Sequence, residues 1–202
     1  AYVPADSSFF VDFTTLSHAP YGATPLPGGG VVFKVWAPAA PAANVRGEFN
    51  AWGVTAMQRV GSDFVVRVPN ATVNQQYKYF FNPGGLWRTD ARARSMTGGN
   101  NYNSFIENPL AYSFGDSAWN TPAFEDMICY ELHVGTFAGR NDPAGSTSYP
   151  SRYADVAARV SHLQDLGVNM VLLMPVNEFP GDQSLGYNPI SAFAPELYYG
   201  NP

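Results

Sequence analysis

Two hydrophobic periods divide the chain. From Val31 to about residue 108, apolar and polar residues alternate in short runs punctuated by Gly, Pro and Asn, the period-two pattern of half-buried strands. Val31–Ala37, Asn44–Phe49, Asp63–Val68, Gln76–Phe81 and Asn103–Glu107 are the predicted strands. Thr24-Pro-Leu-Pro-Gly-Gly-Gly30 breaks the chain before the first, and Asn82-Pro-Gly-Gly85 closes a hairpin after the fourth. Short strands at this spacing predict an immunoglobulin-like β-sandwich over 30–108, preceded by an N-terminal extension, 1–29, without clear periodicity.

Beyond a turn-rich linker, 109–126, the pattern changes. Met127–Leu132 is a continuous apolar run, suited to a strand buried on both faces. After a polar loop over 138–150, Ser151 is placed to N-cap a helix. In that helix Tyr153, Val156, Ala157, Val160, Leu163 and Leu166 make one apolar stripe, and Gly167 stops it as a C′ residue. Val168–Met174 is a second buried strand, ended by Pro175. A helix between two apolar strands predicts a β-α-β unit of a parallel sheet with a right-handed crossover.

Composition narrows the function classes. Of 202 residues 46% are hydrophobic and 13% charged, so a packed core is expected. The net charge of -5 is scattered and no basic stripe exists, which argues against nucleic acid as a partner. No apolar run reaches the length of a membrane span. The single Cys129 excludes an internal disulfide framework. The start at Ala1-Tyr-Val-Pro suits a processed or trimmed terminus, so secreted and cytoplasmic locations both stay open. No metal is expected: His18 and His162 lack a partner at ligand spacing, and the acidic residues form no calcium loop. No cofactor is expected either, because Gly28-Gly-Gly30 precedes a strand rather than a helix.

Aromatics, at 15%, fall often beside Gly, Asn and Pro. Gly47-Glu-Phe-Asn-Ala-Trp52, Gln76-Tyr-Lys-Tyr-Phe80, Gly85-Leu-Trp-Arg-Thr-Asp90 and Asn101-Tyr-Asn-Ser-Phe-Ile106 bring two Trp near turns, with a Lys and an Asn in the neighbouring segments. Flat rings stack on the C–H faces of pyranoses while amine and amide bond the hydroxyls. The two tryptophans as plugs of the sandwich is the other reading, and the residues alone leave both open. These four segments resemble a family 48 carbohydrate-binding module, also seen as the glycogen-binding domain of the AMP-activated kinase β-subunit. By that resemblance Trp52, Lys78, Trp87 and Asn103 hold glucan.

Tyr130-Glu-Leu-His-Val-Gly-Thr-Phe137, Leu173-Met-Pro-Val176 and Phe193-Ala-Pro-Glu-Leu-Tyr-Tyr-Gly-Asn-Pro202 resemble the opening of the (β/α)8 (TIM) barrel of glycoside hydrolase family 13, the α-amylase superfamily. The branching-enzyme, maltooligosyltrehalose-trehalohydrolase and α-amylase-like members are the most similar. Leu185 stands where a Trp usually precedes the Gly-Tyr pair, and Asn188-Pro189 departs from both the branching enzymes and the trehalohydrolases. Loops at the C-terminal ends of barrel strands build active sites. The resemblance makes Tyr187 a residue that stacks on the sugar, with Asn188 a second substrate contact. It gives Glu178 no catalytic role; Glu131 and His133, two apart at the end of the first strand, could pass for an acid/base pair, but a barrel-lining structural role is the reading taken.

The family is retaining, with an Asp nucleophile and a Glu acid/base. The resemblance puts both on later strands, so no catalytic residue is expected in this chain, which alone should bind glucan and catalyse nothing. The implied partners are α-glucan (starch, glycogen, maltooligosaccharides) and the remainder of the barrel, as a second chain or a missing segment. A non-catalytic glycogen- or starch-binding scaffold is the competing reading, and an unrelated barrel enzyme with an attached sandwich is a third. Two parallel strands and one helix leave a bare apolar edge. The isolated chain is therefore expected to dimerise or aggregate through that edge; a monomer by light scattering at high concentration, protease-resistant past Phe124, refutes this.

Overall fold

The computed structural model describes residues 16–98, 101–113, 115, 118–138 and 150–200. The chain forms two compact units, Ala1–Pro109 and Leu110–Pro202.

The first unit holds two antiparallel sheets around one core. In the first sheet β1 (Gly22–Pro25), β2 (Val31–Trp36), β6 (Asp63–Val68) and β5 (Gln58–Val60) lie in the order β1-β2-β6-β5. The second runs β4 (Thr55–Ala56), β3 (Ala42–Gly47), β7 (Gln76–Asn82), β8 (Leu86–Arg88), with β9 (Ser104–Phe105) also on β7. Alternation decides what is inside. Val31 and Phe33 from β2, Phe64 and Val68 from β6, Val45 from β3, and Tyr77 and Tyr79 from β7 share the core with Phe49 and Ile106. Each such apolar side chain contributes about 1.5–3 kcal/mol on burial. Val32 and Val65 face the other way and pack on Leu16.

The stretch before residue 30 supplies β1, which pairs with β2 from Gly22↔Lys34 to Pro25↔Val31. Its Gly and Pro hide the strand from a periodicity search, and an edge strand tolerates a terminal Pro. Lys34 fixes the chain just upstream: its Nζ donates to the Ser17 carbonyl at 2.5 Å and pairs with Asp63 at 3.4 Å. Strands β4, β5 and β8 were likewise too short, at two or three residues, to show a period. The predicted strand over 44–49 ends at Gly47, because 48–50 turn into a single 3-10 turn.

The second unit contains β10 (Cys129–Leu132) and β11 (Met170–Leu173), parallel and in register from Cys129↔Met170 to Leu132↔Leu173. Between them come α1 (Val134–Phe137), α2 (Tyr153–Ala157) and α3 (Val160–Asp165). The single predicted helix is thus two, parted at Arg159, whose φ of -113° and ψ of 13° leave the helical region. Only Tyr153, Val156 and Leu163 of the stripe reach the core of Leu132, Val134, Phe179 and Tyr199. Without packing along the rest of the stripe, little holds a longer helix together. Gly167 does end α3: its N–H meets the Gln164 carbonyl and that of Val168 meets Leu163, a Schellman pair. Ser151 is not the cap; its Oγ accepts from the Ala138 N–H, and Asp155 instead receives the Arg152 N–H at 2.8 Å.

The strands predicted to be buried on both faces are not. Met170, Val171, Leu172 and Leu173 are all exposed, as are Ile128 and Tyr130. One neighbouring strand and two short helices are too little to cover a two-sided apolar sheet.

One polar group is essential to the sandwich core. Asp90, 3% exposed, accepts from the Tyr77 hydroxyl at 2.5 Å and from Tyr79 at 3.3 Å, while its Oδ1 takes the Arg92 N–H at 2.8 Å. Asp90→Ala leaves two buried phenols without their acceptor and is expected to cost about 2–4 kcal/mol. Urea unfolding followed by tryptophan fluorescence measures it; a loss below about 0.5 kcal/mol would overturn the role.

Candidate functional site

A wired turn presents the first tryptophan. Phe49 is buried against Phe33, with ring centroids 5.3 Å apart, and anchors the turn in the core. The Asn50 amide then ties its parts together: Oδ1 accepts from Gly47 N–H at 3.0 Å, and Nδ2 donates to the Val45 carbonyl at 3.3 Å and to Thr55 Oγ1 at 2.9 Å. Ala51 and Trp52 sit in the left-handed region, at φ 51° and 61°. Gly47 admits no side chain, since a Cβ there would strike the Gln76 carbonyl and the Phe49 ring.

Register lines up the rest. Arg46 pairs with Lys78 across β3 and β7, and Phe80 pairs with Trp87 across β7 and β8. Alternation turns Lys78 and Phe80 away from the core that holds Tyr77 and Tyr79, so Arg46, Lys78, Phe80 and Trp87 share the outer face of the second sheet. Trp52 meets Trp87 there at 6.3 Å between centroids, their planes inclined by 56°. Phe80 packs edge-on to Trp87 at 5.2 Å. Asn103 donates through Nδ2 to Gln76 Oε1 at 2.8 Å, and the Lys78 ammonium donates to the Asn101 carbonyl. Burial lowers the Lys78 pKa from its ordinary value. The four sequence-selected residues Trp52, Lys78, Trp87 and Asn103 therefore lie along one strip.

In the second unit, the segment after β11 is clasped by two carboxylates. Glu178 and Glu196 are 1% and 0% exposed. Each reaches into the other's segment: Glu178 Oε2 accepts from Leu197 N–H at 2.8 Å, and Glu196 Oε2 from Phe179 N–H at 3.1 Å. Backbone bonds reinforce this, Glu178 N–H to Ala194 and Glu196 N–H to Val176. Burial pushes the Glu178 carboxyl up to about 7; the Leu197 N–H opposes this and the Glu196 charge adds to it. Burial raises Glu196 as well.

The loop inside this clasp carries Tyr187. Gly186, at φ 85°, passes so close to the Pro175 carbonyl that any side chain would collide. Ser184 Oγ accepts from the Gly186 N–H at 3.0 Å and donates to Asn188 Oδ1 at 2.5 Å, so Asn188 is engaged within its own loop. Tyr187 stands 70% exposed. A cleft of about 390 Å³ lies nearby in sequence, lined by His133, Thr136, Asp182, Ser184, Leu185 and Tyr199, and Tyr187 is not part of its wall. His133 ties the end of β10 to this loop through Nε2, 2.9 Å from the Ser184 carbonyl. A carbonyl only accepts, so Nε2 carries the proton and Nδ1 can accept from Thr136 Oγ1 at 3.1 Å. Among the described residues no group of three acidic, His or Cys side chains could hold a metal ion.

Comparison with known proteins decides the family. Residues 20–93 match the model of carbohydrate-binding module 48, the isoamylase N-terminal domain. A 1,4-alpha-glucan branching enzyme of Jannaschia sp. (strain CCS1) is 32% identical over 182 residues, covering 84% of this chain and 26% of the relative. The malto-oligosyltrehalose trehalohydrolase of Deinococcus radiodurans is 30% identical over 182 residues, covering 90% and 28%. The structure of Anoxybacillus sp. LM18-11 pullulanase complexed with maltotetraose superimposes with a TM-score of 0.74 at 25% identity, covering 89% of this chain and 29% of that one. This chain corresponds to the N-terminal region of glycoside hydrolase family 13 proteins. It spans roughly a quarter of the length of the curated relatives it matches.

Two constellations in this family 13 region escaped the sequence reading. Arg46, Phe80 and Gln76 share the module's strip, and the register of β3 against β7 was the signal that would have found them. The Glu178–Glu196 clasp leaves no local signature, because each carboxylate accepts from a backbone N–H seventeen or nineteen residues away. Its titration is testable. A folded value near 7 against an ordinary 4.5 means that Glu178 stabilises the clasp fully below about 4.5, and that this is lost as pH rises toward 7. Opening free energies from hydrogen exchange at Phe179 and Leu197, corrected for intrinsic rates, should fall across that window and level above it. Glu178→Gln should flatten the slope; an unchanged slope would assign it elsewhere.

Proposed function

We propose that this chain is the glucan-binding N-terminal portion of an α-glucan-active retaining glycoside hydrolase or 1,4-α-glucan branching enzyme. The observation that carries the reading is the Trp52–Trp87 pair on one outer face with Lys78 and Asn103 beside it. Two indoles inclined by 56° suit successive glucosyl units of a curved α-linked chain better than the flat ribbon of a β-linked one. The pullulanase whose fold this chain shares was solved with maltotetraose bound, which supports the same ligand class.

The β10-helix-β11 unit is read as the start of a (β/α)8 barrel, with Tyr187 as a sugar-stacking residue once the remaining strands surround it. The exposed apolar residues of β10 and β11 support this, since further strands would cover them. The chain alone is inactive in this reading. A retaining glycosidase needs two carboxyl groups about 5–5.5 Å apart and open to the sugar. Glu178 and Glu196 are sealed from solvent and engaged by backbone amides, so they serve the fold.

Titration calorimetry of the full chain with β-cyclodextrin tests the binding. Trp52→Ala and Trp87→Ala should each weaken it at least tenfold, about 1.4 kcal/mol, with the near-ultraviolet circular dichroism of the core tyrosines retained. Unchanged affinity in both variants would remove the sandwich face from glucan recognition.

A further inference from the structure

We propose that Arg46 is a further glucan-contact residue of the sandwich face, its guanidinium donating to sugar hydroxyls between the Trp52–Trp87 pair and Lys78. The inference rests on the glucan reading of that face and names a contact outside the four residues already assigned to it.

Its placement follows from the ladder. Arg46 is the direct cross-strand partner of Lys78, and the guanidinium carbon lies 4.0 Å from the Phe80 ring centroid and 5.1 Å from that of Trp87. The guanidinium thus sits over Phe80 and Trp87, on the strand pair that also carries Lys78. Its N–H donors lie in the guanidinium plane, and the aromatic faces beneath satisfy the charge without accepting those hydrogen bonds.

The economy of hydrogen bonds singles it out. Lys78 already donates to the Asn101 carbonyl, and the Asn103 amide already donates to Gln76. Among the described residues the Arg46 Nε is a buried side-chain donor without a partner. Packing on the Phe80 and Trp87 rings accounts for the positive charge but leaves the buried Nε donor unmatched. A ligand rich in lone pairs accounts for that donor. Vicinal hydroxyls of a glucosyl unit, its ring held on Trp87, offer two acceptors to one guanidinium edge. A small turn of the side chain also lets Nε find a partner.

The test uses calorimetry of the full chain with β-cyclodextrin and maltoheptaose, beside Trp52→Ala. Arg46→Ala is expected to weaken binding about tenfold, and Arg46→Lys by nearly as much, because an ammonium lacks the planar two-nitrogen edge that matches two vicinal hydroxyls. In the unaltered chain, the Arg46 Nε–H resonance is expected to shift on adding β-cyclodextrin. Unchanged affinity in Arg46→Ala, with loss in Trp52→Ala, overturns the role of Arg46 and leaves the glucan reading intact. Recovery of full affinity in Arg46→Lys, with a silent Nε–H, overturns it as well, since Arg46 would then only prop Trp87. Failure of the unaltered chain to bind either sugar overturns both readings.

Discussion

Along β7, Tyr77 and Tyr79 turn their hydroxyls toward Asp90 while Lys78 and Phe80 turn the opposite way. A strand with that constraint cannot slip. Moving it by one residue would bury a lysine, expose two tyrosines and leave Asp90 without its two phenol donors. Because β3, β8 and β9 all pair with β7, the same constraint sets where Arg46, Trp87 and the Asn103 segment stand on the outer face. The buried carboxylate and the surface strip are two sides of one ladder. Burial raises the Asp90 pKa and the two phenols oppose that rise, so the core tolerates an acid only in company with its donors.

The second unit is organised on another principle. Its sheet has two strands, and most of their apolar side chains face water. What keeps the segment after β11 in shape is polar: the carboxylates of Glu178 and Glu196, exchanged between its two ends, and the His133 link from the end of β10. The hydrophobic contribution is concentrated in the small cluster of Leu132, Leu163, Phe179 and Tyr199. Burial and the Glu196 charge push the Tyr199 hydroxyl up to about 12, so it meets His133 as a neutral phenol.

Elements with a long, regular period were legible in the sequence. Asp63–Val68 was read to its last residue, and Gln76–Phe81 to within one. Strands of two or three residues, and β1 with its Gly and Pro, carried no such period. The long helix failed for a different reason. An apolar stripe states what a helix could bury, and among the described residues Val160 and Leu166 find no partner to bury against. Four residues of the sandwich strip were found through their surrounding motifs. Arg46 was invisible to that approach because its place depends on register, a relation between segments about thirty residues apart. Tyr187 was found as a loop residue, yet the cleft beside that loop does not include it.

The left-handed backbone at Ala51 and Trp52 has a consequence of its own. Non-glycine residues in that region cost about 1–3 kcal/mol each, and the three hydrogen bonds of Asn50 offset this when the chain folds. The backbone that carries the indole is therefore fixed in advance, and in the proposed reading less freedom remains to be lost on contact with a sugar. That rigidity comes from a turn whose central residue, Asn50, points into the backbone rather than outward.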